Sequence, residues 1–308
     1  VQLVELAVQT RTAALLHRAT DGSDGAVRDQ LALLAKQYTL HNLRTGQVLL
    51  EVFDLLASEG LRPIALKGAG LAFDAYPAPQ LRPLRDIDLL LKPDAAEIAQ
   101  AFLLSLPDFE LARKAGRYGL EHSHQLPEVV HMPSGVVLEI HHRVNARGWD
   151  HEQELLHMIF GEARDLAIFG GEIRVPSPTA NFLHLLEHAT LHHAFANGPL
   201  ILSDIHYLAK NQSLDFASID KHVDGLGLRK ASDLLAGMAR NLGAEWPAGA
   251  VKGAATTRLV DSALAAILMT EEQMDVFSRE LEIDFALSEE GLGRFRVNVF
   301  HQRGNVAM

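Results

Sequence analysis

The sequence predicts an α+β protein: a small mixed sheet backed by helices, with a helical segment before it and a mostly helical stretch after it. Leucine and valine recur at helical spacing from Leu15 through Leu56. Short apolar runs of strand length follow at Ile64-Ala65-Leu66, at Asp86 to Leu91 and from Val129 to His141. From Trp149 onward the helical period returns.

Each element has a local reason. Asp21-Gly22-Ser23-Asp24-Gly25 breaks the first helices, and Gly60 ends the last of them. The strand at Ile64 is halted by Lys67-Gly68-Ala69-Gly70. A helix of about two turns is expected from Leu71 to Tyr76, stopped by Pro77 and Pro79. Pro93-Asp94 opens a helix over Ala95 to Leu106, with Asp94 as the expected N-cap. Val129-Val130-His131 and Val136 to His141 flank Met132-Pro133-Ser134-Gly135 and read as a hairpin. Pro176-Ser177-Pro178 precedes a long helix from Thr179 to Ala196, and further helices are expected over Leu200 to Lys210 and Ala231 to Leu242. The expected division is a helical segment over 1–59, a sheet module over 60–150 and a mostly helical domain over 151–308, the second boundary falling between 150 and 175.

Composition narrows the function classes. The 308 residues are 48% hydrophobic, which excludes a disordered chain and is enough for a sizeable core. A net charge of −11 argues against a surface coated for long nucleic acids. The lack of cysteine excludes disulfides and thiolate chemistry and fits a reducing compartment, so the cytoplasm is the expected location. No run of 18 apolar residues occurs, and no membrane span is expected. The first residues lack the layout of a signal peptide. The chain opens on Val1 and not on Met, and Arg303 to Met308 give no clear stop to the last element; both fit a fragment of a longer protein.

The chemistry is concentrated in Leu81-Arg82-Pro83-Leu84-Arg85-Asp86-Ile87-Asp88-Leu89-Leu90-Leu91. On a strand, side chains alternate, so Asp86 and Asp88 share one face while Ile87, Leu89 and Leu91 point to the core. Two adjacent carboxylates on a half-buried strand repel and resist desolvation. A hard divalent cation relieves both, and such cations commonly bind one or two carboxylates plus substrate phosphates. On the later strand, Glu139 shares a face with Val137 and His141, opposite Val136, Leu138 and Ile140.

Taken in order, these motifs resemble the nucleotidyltransferase superfamily built on the DNA polymerase β palm. Closer still, Leu66-Lys67-Gly68-Ala69-Gly70-Leu71-Ala72, Tyr76-Pro77, Leu81-Arg82-Pro83, Asp86-Ile87-Asp88-Leu89-Leu90 and Leu138-Glu139-Ile140-His141 resemble the bacterial group of uncharacterised nucleotidyltransferases. So do the His-rich run from His184 to His193 and the later Asp204. The resemblance spans roughly residues 30 to 215. It departs from the wider superfamily in the Gly68-Ala69 turn, in the long spacing from Gly68 to Asp86 and in a Glu as third carboxylate.

The resemblance implies a palm-like mixed sheet and a metal-dependent transfer of a nucleoside monophosphate to an acceptor hydroxyl. Asp86, Asp88 and Glu139 would be the catalytic and metal-binding acids, with Mg²⁺ or Mn²⁺ as cofactor and an NTP, ATP first, as co-substrate. Lys67, Gly68, Ala69, Arg82, Arg85 and His141 are the candidates for phosphate or nucleotide. The alternatives are a surface role for Lys67, a pairing of Arg85 with Asp86, and a carboxylate-orienting role for His141. His184, His188 and His192 fall on one helical stripe. Zinc is disfavoured there by the lack of an H-E-x-x-H motif and of cysteine; His188, His192 and Asp204 are candidates to line a cleft, the alternative being that the histidines pack on Asp204 and Glu187. The acceptor is open between a small molecule, a peptide and a tRNA end, for which Arg113, Lys114 and Arg117 form a local basic patch. Two rivals stand beside this reading: transfer of a single phosphoryl group on the same scaffold, and a non-catalytic interaction protein.

Overall fold

A computed structural model of the chain describes residues 2–20, 25–113, 120, 121, 123–145, 148–192, 198–241, 269, 276, 279, 280, 282–289, 293–302 and 305–307. The elements begin with α1 (Gln2–Gln9), α2 (Ala13–Ala19) and α3 (Ala26–Ser58). The sheet module follows with β1 (Ile64–Ala65), α4 (Lys67–Asp74), β2 (Asp86–Leu90), α5 (Pro93–Ser105), β3 (Phe109–Leu111), β4 (Val129–His131) and β5 (Val136–His141). Then come α6 (Glu152–Gly161), β6 (Arg164–Ile168), β7 (Gly171–Val175) and α7 (Pro178–Glu187). After these are α8 (Leu200–Asn211), α9 (Phe216–Gly225), α10 (Arg229–Asn241), β8 (Glu282–Glu289), β9 (Gly293–Gln302) and β10 (Asn305–Ala307). Two compact units result, one of residues 37–185 with 211–213, the other of 1–36, 186–210 and 214–308.

The first unit is built on a five-stranded sheet in the order β1-β2-β5-β4-β3. β2 and β5 pair in parallel, and each other neighbouring pair is antiparallel. One face of the sheet is covered by apolar side chains of two helices. Leu49, Val52 and Leu56 of α3 and Ala96, Ala99 and Leu103 of α5 cluster with Ile87, Leu89, Leu138 and Ile140, all of them fully buried. The α3 positions fall at helical spacing, which aligns them in one stripe. Burying each such side chain stabilises by about 1.5–3 kcal/mol, so this face fixes which way β2 and β5 present their alternate residues.

The second unit has its own strands. β8, β9 and β10 form a three-stranded antiparallel sheet in the order β10-β9-β8. Among the described residues no helix is long and apolar enough to cross a membrane.

Four expectations need correction. α4 begins at Lys67 rather than Leu71, because Gly68 and Gly70 sit inside the helix and do not break it. The N-cap of α5 is Lys92, with Pro93 in the first turn; Asp94 lies inside the helix, where its charge still suits the helix dipole. The stretch after Trp149 is not all helix. β6 and β7 form a hairpin closed at Ile168 and Gly171. Its two turn residues, Phe169 and Gly170, have φ of 48° and 86°, the left-handed pair that a tight primed turn needs. Finally, the long helix expected to Ala196 gives way after Glu187 to a π-helical turn, His188–His192.

Two glycines in helices test the packing. A Cβ on Gly70 would sit 2.9 Å from the backbone oxygen of Ala65, so α4 approaches β1 only because this position has no side chain. A Cβ on Gly161, the last residue of α6, would meet nothing within 4 Å. Gly→Ala in a helix ordinarily stabilises by about 1 kcal/mol. We expect Gly161→Ala to follow that rule and raise the unfolding midpoint in urea. Gly70→Ala is expected to lower it, by about 1–3 kcal/mol of overpacking.

Candidate functional site

The parallel register of β2 and β5 assembles the site. Asp88 lies opposite Glu139, Asp86 opposite Val137 and Leu90 opposite His141. Because side chains alternate, Asp86, Asp88, Glu139 and His141 share the sheet face opposite the α3 and α5 core. Burial is graded along this face. The Asp88 side chain is 5% exposed, Glu139 12% and Asp86 20%.

Lys67 completes the cluster from the strand-to-helix junction. The Leu66 amide donates to the Asp88 carbonyl at 3.0 Å, extending the β1–β2 pairing by one bond. The chain then turns through a left-handed Lys67 (φ 48°), and Lys67 Nζ donates to Asp88 Oδ1 at 2.7 Å. His141 Nε2 lies 2.9 Å from the same Oδ1 and 3.3 Å from Glu139 Oε2. One buried carboxylate oxygen therefore serves both an ammonium and an imidazole.

The charges are unevenly matched. Burial disfavours the Asp88 carboxylate, yet the Lys67 charge and the His141 hydrogen bond overcome it and hold its pKa well below the ordinary range. Burial likewise disfavours the Lys67 ammonium, but Asp88, with Glu139 and Asp86 beyond it, raises the pKa above the usual lysine value. Asp86 is the reverse case. Burial and then repulsion from Asp88 and Glu139 push its pKa up, and Arg85 offsets this only in part. The Arg85 Nε donates to Asp86 Oδ2 at 3.0 Å from a side chain that is 73% exposed, so much of that attraction is screened by solvent.

Of the other sequence candidates, Gly68, Ala69 and Arg82 belong to the unit that carries this face. Gly68 and Ala69 are buried in the first turn of α4, which no side chain caps. A Cβ on Gly68 would meet Arg82 Nη1 at 3.2 Å and Leu84 Cδ2 at 3.2 Å, so the guanidinium of Arg82 packs over that glycine. Arg82 Nη1 also donates to the Pro83 carbonyl at 3.0 Å. His188, His192 and Asp204 belong to the other compact unit. There the rings of His188 and His192 meet edge to face with centroids 5.2 Å apart, while Asp204 is buried on α8. The π turn that carries His188 and His192 still brings this i, i+4 pair together. Arg113 is exposed, and Lys114 and Arg117 lie outside the described residues.

Two contributors escaped the reading of the sequence. Asn42, fully buried on α3, donates to the carbonyls of Pro79 (2.7 Å) and Arg82 (2.9 Å) and accepts from the Leu84 amide (3.1 Å). It ties down the loop that delivers Arg82 and β2. The available signal was an amide side chain on the apolar stripe of α3. The second is His124, whose ring lies 5.1 Å from that of His141. Nothing in its local sequence marks it.

Asp88, Glu139 and His141 each offer a ligand atom, and these atoms all lie within 4.8 Å of one another. Asp86 stands on the same face outside that trio.

A solved structure shares a loose likeness: the crystal structure of an antigenic nucleotidyltransferase-like protein from Paracoccidioides brasiliensis, 15% identical, covering 76% of this chain and 90% of that one with a TM-score of 0.38. At that level nothing is carried over to this chain. No curated protein matches the sequence. The family model described as "Uncharacterised nucleotidyltransferase" matches residues 2–244, which contain every residue of the site, and the chain belongs to that family.

Proposed function

We propose that this chain transfers a nucleoside monophosphate, AMP in the first instance, from an NTP to an acceptor hydroxyl. The acceptor oxygen bonds to the α-phosphorus, and the bond from that phosphorus to the bridging oxygen breaks. Pyrophosphate leaves with the electron pair, and the hydroxyl proton passes to the Glu139 carboxylate. The observation that carries this reading is the parallel register, which sets Asp88 beside Glu139 with Asp86 on the same face.

The residues suit a divalent cation. Ligand atoms of Asp88, Glu139 and His141 lie within 4.8 Å of one another, and Asp86 carries charge that its neighbours do not neutralise. Asp86, Asp88 and Glu139 would hold Mg²⁺ or Mn²⁺, with oxygen donors of the hard type these ions prefer. When bound, the metal would polarise the α-phosphate and favour ionisation of the acceptor hydroxyl. His141 would keep Asp88 and Glu139 oriented through its Nε2. The uncapped first turn of α4 and the Arg82 guanidinium would take phosphate oxygens. Most of the catalysis would be positioning and charge stabilisation, as in other phosphorus transfers.

The test begins with calorimetry of each NTP with and without Mg²⁺. Binding is expected to need the metal and to be lost in Asp86→Ala/Asp88→Ala with the fold intact by circular dichroism. ATP labelled at the α- or the γ-phosphorus, incubated with extracts of small molecules, peptides or tRNA, then reads the reaction. Label should pass from the α position only; passage from the γ position alone would replace this reading with phosphoryl transfer.

The charge imbalance makes a second prediction, for protein held in EDTA. Asp88→Asn leaves Lys67 buried beside a neutral group and should cost about 3–5 kcal/mol of stability, as removal of one partner of a buried pair does. Asp86→Asn removes a repelled, half-satisfied charge and should raise stability by about 0.5–2 kcal/mol. Urea unfolding of the two variants beside the wild type checks the opposite signs.

A further inference from the structure

Lys67 occupies the place where a cation would neutralise Asp88. Its Nζ is 2.7 Å from Asp88 Oδ1, and the side chain is only 17% exposed. The backbone adopts a left-handed conformation that a lysine disfavours, and the adjoining Leu66 amide is bonded to Asp88 as well. The contact is thus anchored at both ends. A lysine reaching at random across a surface would not be held this way. The arrangement also occupies Oδ1 fully, since His141 Nε2 lies 2.9 Å from it on the same carboxylate.

We infer that Lys67 is a resident counter-ion which a divalent cation displaces from Asp88, so that metal loading and the Lys67–Asp88 pair exclude one another. This rests on the metal site proposed above and goes beyond it in assigning Lys67 two positions. A divalent ion on the Asp88 carboxylate would stand within a few ångströms of an ammonium in a poorly solvated site, and the two cations repel. His141, 2.9 Å from the same carboxylate, is placed to orient it. The released ammonium would remain at the start of α4, beside the backbone of Gly68 and Ala69 and the guanidinium of Arg82, where the negative charge of a triphosphate is its natural partner. Metal and nucleotide would then bind cooperatively: the metal frees the lysine, and the phosphates accept it. Without either, the ion pair balances the buried charge of Asp88.

The experiment is calorimetric titration of Mn²⁺, in the absence of nucleotide, into wild type, Lys67→Met and Asp88→Asn. Competition predicts that Lys67→Met binds Mn²⁺ about tenfold or more tightly than wild type, equivalent to about 1.4 kcal/mol. It also predicts a larger rise in Tm on adding Mn²⁺ to Lys67→Met than to wild type. Equal or weaker Mn²⁺ binding by Lys67→Met, with binding to wild type still measurable and lost in Asp88→Asn, overturns the counter-ion and leaves the metal site standing. No Mn²⁺ binding by either wild type or Lys67→Met overturns both. Should Lys67→Met not fold, the wild type decides alone. Lysine acylation mapped by peptide mass spectrometry should spare Lys67 in EDTA and modify it at saturating Mn²⁺; protection unchanged by the metal overturns the proposal.

Discussion

Everything at the acidic face depends on the register of β2 against β5. A slip of one residue on either strand would turn its acids into the α3 and α5 core and its aliphatic residues outward. Ile87, Leu89, Leu138 and Ile140 are fully buried, so the slipped pairing would forfeit their burial and desolvate carboxylates in exchange. The hydrophobic face therefore decides where the charged face lies. Parallel pairing adds a further constraint. The chain must leave β2, cross over through α5 and the β3–β4 strands, and return in the same direction before Glu139 can meet Asp88.

The acids so gathered are not equivalent. Asp88 lies deepest and has two close partners, whereas Asp86 lies nearer solvent with one exposed arginine. A face built only for stability would balance these charges or replace them with apolar residues, since buried ion pairs seldom outperform well-packed hydrophobic ones. An imbalance concentrated at its more open end is what the metal site proposed above would use. It separates two tasks: the deep carboxylate is fixed in place, and the outer one is left with charge to offer.

Much of this was legible in the sequence, and the legible part is the periodic part. Alternation in Asp86-Ile87-Asp88-Leu89 and in Val136 to His141 gave the facing of each side chain before any coordinates, because a strand has a period of two whatever it packs on. The hairpin from Val129 to His141 followed from its turn residues. Two partners were legible as alternatives, Arg85 for Asp86 and a carboxylate for His141, but the lysine was not. That Lys67 reaches Asp88, 21 residues away, depends on a left-handed backbone at a non-glycine position, which no local preference signals. The hairpin of β6 and β7 was hidden by a similar device, a phenylalanine in the left-handed first position of its turn. Gly68 and Gly70 misled in the other direction. Glycine is a poor helix former, yet here one makes room for Ala65 and the other for Arg82, and the space gained outweighs the propensity.

The packing of Arg82 over Gly68 changes what that glycine is for. A glycine beside a phosphate site is ordinarily explained by close approach of the ligand to bare backbone. Here the missing Cβ faces a guanidinium nitrogen and a leucine methyl, both at 3.2 Å, so the glycine makes room for two side chains of the chain itself. The loop bearing that cation is held by Asn42, whose single amide satisfies two carbonyls and one amide of residues 79–84. Holding three backbone groups from one buried side chain fixes the loop as a unit, and with it the residue over Gly68 and the first residues of β2. The loop that carries the guanidinium and leads into β2 is thus held by one polar residue in the apolar stripe of α3.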